Sequence, residues 1–164
     1  MSDQGTTYAS YVETELKAER ERRAAYDARG QALVSSSGAL VTLFGGLAAI
    51  VKTGSVVRIP TVVLPVVCGA LILLAAAATC GIVAGWNSAY TVASTATLQA
   101  MLAKHWTDTE VDARNNVSTM HAKTVHTMRA AGNVKARWVS AGLILQVAAL
   151  LVLSCSIVLI IAAG

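Results

Sequence analysis

The reading turns on DARGQALVSSSGALVTLFGGLAAIV, residues Asp27–Val51. From Ala32 to Val51 no residue is charged, whereas the segment just before it is dense in charge. An uncharged apolar run of ~20 residues matches the hydrocarbon thickness of a bilayer at ~1.5 Å per helical residue. The charged segment and the run are expected to form one helix that leaves water and enters lipid. The rest of the chain agrees with this. Of 164 residues, 55% are hydrophobic and 13% charged, and the mean hydropathy is +0.58, too apolar for a soluble domain of this size. There are two prolines, and Ala, Val and Leu dominate, which favours long helices over many short strands. The expected fold class is therefore all-α: a polytopic membrane protein with three transmembrane helices and long cytoplasmic helical extensions.

The expected order is a cytoplasmic helix over 8–30, a first span over 31–51, a second over 61–86, a cytoplasmic helical hairpin over 87–137 and a third span over 139–162. Met1 to Thr7 is short and polar and is expected to fray. From Tyr8, an i,i+4 series with Val12 and Leu16 gives the first helix an apolar edge, and the charges from Glu15 to Arg23 pair along its surface. Lys52 to Pro60 forms a short connection, with Pro60 and Pro65 suited to the start of the next helix. Asn87 to Lys104 has no Pro or Gly, so the second helix is expected to continue past Trp86. Thr107-Asp-Thr-Glu110 reads as a capping box that opens a new helix. Gly132 is tolerable within that helix at ~1 kcal/mol.

Orientation follows from the basic residues. Five precede the first span, two lie in the short connection, six lie between the second and third spans, and none follows the third. The positive-inside rule then favours an N-in, C-out protein of a bacterial inner membrane. The first ~30 residues hold no apolar core or cleavage site, so the first span is expected to persist in the mature chain. Tyr26, Asp27, Arg29, Trp86, Arg137 and Trp138 fall at the expected membrane interfaces. Asp27 needs a cationic partner there. Arg29, two residues on, points to another face, so the partner is expected on a different helix.

Inside the spans, small residues mark helix-packing faces, since dispersion and close approach hold helices together in lipid. Gly38, Thr42 and Gly46 form one such stripe. Gly81 and Gly85, extended by Ala77 and Ala89, form another. Ser35, Ser36 and Ser37 can bond back to the preceding turn. Gln146 is the notable intramembrane polar group, and its amide is expected to bond a neighbouring helix at ~1 kcal/mol. Cys68, Cys80 and Cys155 all lie in apolar spans and act as small apolar side chains rather than as a disulfide framework.

No residue pattern specifies a reaction. His121 and His126 are about 140° apart around a helix, which is wrong for two metal ligands on one face. Asp108, Glu110 and Asp112 suit a helix first turn. A phosphate loop, HExxH, CxxC and a Ser with a plausible base are all missing. The chain is expected to be no enzyme and to need no cofactor. Without a basic stripe carrying interleaved aromatics, no nucleic acid is expected as a partner. The expected partners are the bilayer and further copies of the chain.

Several segments carry a resemblance. ELKAERERR (Glu15–Arg23) with Asp27-Ala-Arg-Gly30, Ala84-Gly-Trp-Asn87, HWTDTEVDARN (His105–Asn115) and Lys135-Ala-Arg-Trp-Val139 resemble a group of small actinobacterial proteins labelled integral membrane plasmid-transfer proteins. That resemblance implies a structural or partner-recruiting membrane protein, with a cytoplasmic protein partner docked by its helices. The layout is also similar to the transmembrane effectors of Pycsar and SLATT-type phage defence. In those, a helix ends in an Asp-Ala-Lys-Ala-like motif, matched loosely here by Asp27-Ala-Arg-Gly30. That likeness implies an oligomeric effector that perturbs the membrane in response to a signal such as a cyclic nucleotide.

Overall fold

The structure, a computed structural model, describes residues 4–53, 63–86 and 88–163, with the side chains of 47–53 and 159–163 left outside the description. Among these residues the chain is all-helical, with no strand. It runs α1 (Gln4–Thr53), α2 (Val63–Gly85), α3 (Thr95–Ala103) and α4 (Glu110–Ala163). Two of these helices, α2 and α4, are long and apolar enough to cross a membrane. The connection before α2, with Pro60, lies outside the described residues. Pro65 falls in the first turn of α2, where an N–H has no intrahelical partner to lose.

Helix α1 starts at Gln4 rather than Tyr8. Thr6 takes part in a tertiary bond, accepting from Arg114 Nη1 at 3.1 Å. The expected continuation of the second helix beyond Trp86 does not occur. Helix α2 stops at Gly85, where Trp86 N–H reaches Val83 O at 3.2 Å, and Ser88 to Ala93 have no regular structure. Two of their backbone groups have tertiary partners. Ser88 O accepts from Arg23 Nη2 at 3.5 Å, and Thr91 N–H donates to Thr127 Oγ1 at 3.1 Å. These bonds compensate the helical bonds given up. Ser94 then caps α3, accepting from Thr97 N–H at 3.1 Å.

The cap of α4 lies two residues later than the sequence suggests. Thr109, not Thr107, accepts from Asp112 N–H at 3.2 Å and donates to Asp112 Oδ2 at 2.7 Å. Thr109 is thus the N-cap of α4, with Glu110 and Asp112 placed in the first turn against the helix dipole.

The chain divides into two compact units. One comprises Met1–Ala25 and Asn87–Val134, the other Tyr26–Trp86 and Lys135–Gly164. In the first, Leu16 of α1 packs on Val125 and Met128 of α4, with Val12, Glu19 and Arg23 continuing the inward edge of α1. In the second, Ala70 and Leu74 of α2 meet Ala149 and Leu153 of α4, flanked by Leu40 and Phe44 of α1. A further cluster joins Leu33, Ala84 and Val139.

Burial in the second unit follows a single rule. The least exposed positions of α2 are Val63, Ala70, Leu74, Ala77, Gly81 and Ala84 with Cys80 beside them, and those of α4 are Lys135, Val139, Gly142, Ala149, Leu153 and Ser156. On α1 they are Gly30, Leu33 and Ser37. Apart from one skipped position in each of α2 and α4, the steps alternate between three and four. This is the 3.5-residue repeat along which helices mesh in a left-handed coiled coil. Most seam positions are small, so the helices come close. A Cβ built on Gly81 would lie 2.7 Å from Gly30 O and 3.2 Å from Leu33 Cβ, and one on Gly142 would lie 3.0 Å from Leu33 Cδ1.

Gly81→Ala should therefore force α1 and α2 apart, because the obstructing atom belongs to the backbone, and should cost about 1–3 kcal/mol. Gly38→Ala meets nothing within 4 Å and should be neutral or stabilising by up to about 1 kcal/mol, through helix propensity. Thermal unfolding of the two variants in detergent, followed by circular dichroism, measures the difference.

Candidate functional site

One polar link of the second unit is an ion pair. Lys135 of α4 bonds Asp27 Oδ1 of α1, so the partner expected for Asp27 on another helix is Lys135. The pair is lopsided: the Lys135 side chain is 4% exposed and that of Asp27 43%. Lys135 occupies a seam position, so its ammonium sits among helices while the carboxylate keeps part of its hydration. A buried cation is tolerable only with such a counter-charge.

A second link ties the same two helices. Gln146 Nε2 donates to Ser36 Oγ at 2.8 Å, which gives the amide its expected neighbouring-helix partner. Of the three serines expected to bond back to the preceding turn, Ser36 bonds Leu33 O at 3.2 Å, whereas the buried Ser37 Oγ has no partner among the described residues. Thr42 makes the same kind of bond to Gly38 O at 3.0 Å.

The small-residue stripes separate into two kinds. Ala77 and Gly81 are buried on the seam. Gly85 is exposed, and a Cβ on it would meet nothing within 4 Å. Gly38, Thr42 and Gly46 are all exposed, and Gly38 and Gly46 are likewise open. The partner of Gly81 within the chain is Gly30, one of the helix-contact glycines that sequence reasoning passed over. The other is Gly142. The 3.5-residue spacing of Gly30, Leu33 and Ser37 was the available signal. Arg29, Trp86, Arg137 and Trp138 are exposed, Trp86 by 70% and Trp138 by 42%.

The first unit is held by charge. Glu19, 8% exposed, accepts from Arg129 Nε at 3.0 Å, and Arg129 Nη2 also bonds Glu15. Hydrogen bonding to Glu19, the largest influence, raises the Arg129 guanidinium above its ordinary value. Desolvation opposes this and the Glu15 charge adds to it. A group whose pKa is raised on folding contributes stability below its unfolded value and loses it only above its folded one. For an arginine that window lies far into alkali, so the clamp is constant through the neutral range. Arg23 lies over the Tyr90 ring, 4.5 Å from its centroid, a cation–π contact. His105 Nδ1 lies 2.9 Å from Asp108 Oδ2. Among the described residues no three His, Cys, Asp or Glu are grouped to hold a metal ion.

What these groups can do is bind helices and solvate charge. Comparison with known proteins gives no match to a family model, a curated protein or a solved structure. The class on view is an all-helical protein with two helices able to span a membrane.

The unequal exposure of Asp27 and Lys135 makes a directional prediction. Asp27→Asn leaves a buried ammonium without counter-charge, and should destabilise by about 1–3 kcal/mol, below the full cost of breaking a wholly buried pair. Lys135→Met leaves a carboxylate that water can reach and fills the seam with an apolar chain, so it should cost less than half as much. Equal losses in thermal unfolding would mean that the pair is not asymmetric in solution.

Proposed function

We propose that the chain is a multipass protein of a bacterial inner membrane, crossing through 31–51, 61–86 and 139–162 with its N-terminus in the cytoplasm. It acts there by self-association, as an effector that perturbs the membrane in signalled anti-phage defence. The observation that carries this reading is the inverted distribution of side chains. Most seam positions are Gly, Ala or Ser, with Leu33, Leu74 and Leu153 among them, while Leu64, Ile72, Ile82, Ile144 and Leu151 lie outward, each between 56% and 69% exposed. Leu43 of α1 is 59% exposed. Such a surface is untenable in water and ordinary in lipid. The arrangement of basic residues supports the orientation. The exposed face of Gly38, Thr42 and Gly46 supports self-association, since Gly38 and Gly46 have nothing within 4 Å of a built Cβ among the described residues and can admit a second helix closely.

The runner-up reading is a partner-recruiting membrane protein of plasmid transfer. It is favoured by Tyr8 and Tyr11, which are 70% and 64% exposed on α1, aromatic residues of the kind that anchor protein interfaces. Crosslinking from Tyr11 or Val117 separates the two: copies of the chain alone support the effector, and a soluble protein supports recruitment.

Controlled overexpression with a potential-sensitive dye should show depolarisation and growth arrest, and Gly38→Leu with Gly46→Leu should abolish both while leaving the monomer folded. Full polarisation and normal growth, with and without phage, would exclude the effector reading. Single cysteines at Ser2 and Gly164 should label from opposite compartments. Labelling from one side would remove the three-pass topology.

A further inference from the structure

In the first unit, α3, the start of α4 and the peptide between them surround a cavity of about 520 Å³. That volume falls within the roughly 300–1,000 Å³ typical of small-molecule sites. Its walls include Met101, Val117 and Met120, and methionine adapts its shape to an occupant. The Trp106 indole stands at the cavity with 76% of its surface exposed. Asp108 supplies the one carboxylate of the lining. It is 27% exposed and accepts from His105 Nδ1.

Two features exclude an anionic occupant. No Lys or Arg lines the cavity. The N-terminus of α4, a natural anion site, is capped by Thr109 and flanked by Glu110 and Asp112. A third feature calls for an occupant. Helix α3 has nine residues and buries none of its side chains, and a helix that short is not stable alone in water. Apolar matter beneath Met101 would give it a surface to rest on.

We propose that this cavity binds an aromatic ammonium compound. The ring of the ligand lies between Trp106 and the methionine walls, and its ammonium pairs with Asp108 beside the indole, where ion pairing and cation–π attraction act together. This site is independent of how the chain acts on membranes.

The test uses the full chain in lipid nanodiscs, labelled with 5-fluorotryptophan. The three tryptophans give one resonance at the site and two controls, Trp86 and Trp138. The probes are tryptamine and indole-3-acetate, which share a ring and differ in charge. Tryptamine should shift the Trp106 resonance saturably, and indole-3-acetate should bind about tenfold or more weakly, the ~1.4 kcal/mol expected of one charge interaction. Asp108→Asn should erase most of that preference, and Val117→Phe, which fills the cavity, should abolish the shift without changing helix content. The proposal is overturned if Trp106 does not respond, if both probes bind alike, or if Trp86 and Trp138 move equally, which signals partition into lipid. It is also overturned if the Trp106 resonance moves with protein concentration alone, which assigns the cavity to a second copy.

Discussion

The close meshing of helices along a narrow seam is the constraint on which the second unit depends. A seam with a 3.5-residue repeat admits only about two residues per heptad from each helix. Whatever occupies those positions sets the distance between axes. Here they are mostly Ala, Gly, Ser and Leu, so backbones approach until Gly30 and Gly81 face each other across a gap too small for a methyl group. Many of the large apolar side chains, Leu64, Ile72, Ile144 and Leu151 among them, lie outward.

Polar groups fasten the same helices. Lys135 falls on the seam and is tolerated because Asp27 reaches it. Ser36 and Gln146 satisfy one another where an unpaired amide would be costly. The first unit uses the same helices with another balance of forces. Leu16, Val125 and Met128 form a small core, and Glu19 is held by Arg129 beside it. With so little apolar area buried there, the short helix α3 is poorly covered and a cavity remains beneath it.

The functional reading follows from this division. One unit carries many exposed large apolar side chains, with Gly38 and Gly46 of α1 open. The other has exposed aromatic residues and a cavity whose lining carries one carboxylate and no lysine or arginine.

The sequence by itself determined the helical class, the apolar stretches, the need of Asp27 for a partner on another helix, and the bonding of Gln146 to a neighbour. These follow from composition and from the cost of leaving a charge or an amide unsatisfied, which no arrangement of the chain can avoid. It also placed the α4 cap within two residues, because capping depends on local atoms. What only the tertiary structure decided was which glycines meet. Gly38, Thr42 and Gly46 repeat every four residues and drift off a seam that advances by 3.5, so Ser37 is buried where Gly38 is exposed. The end of α2 at Gly85 was likewise not local, since the backbone after it is satisfied by Arg23 and Thr127, residues 65 and 36 positions away from those they bond. The cavity by Trp106 arises from three consecutive segments, and its shape exists only once α3 and α4 are placed.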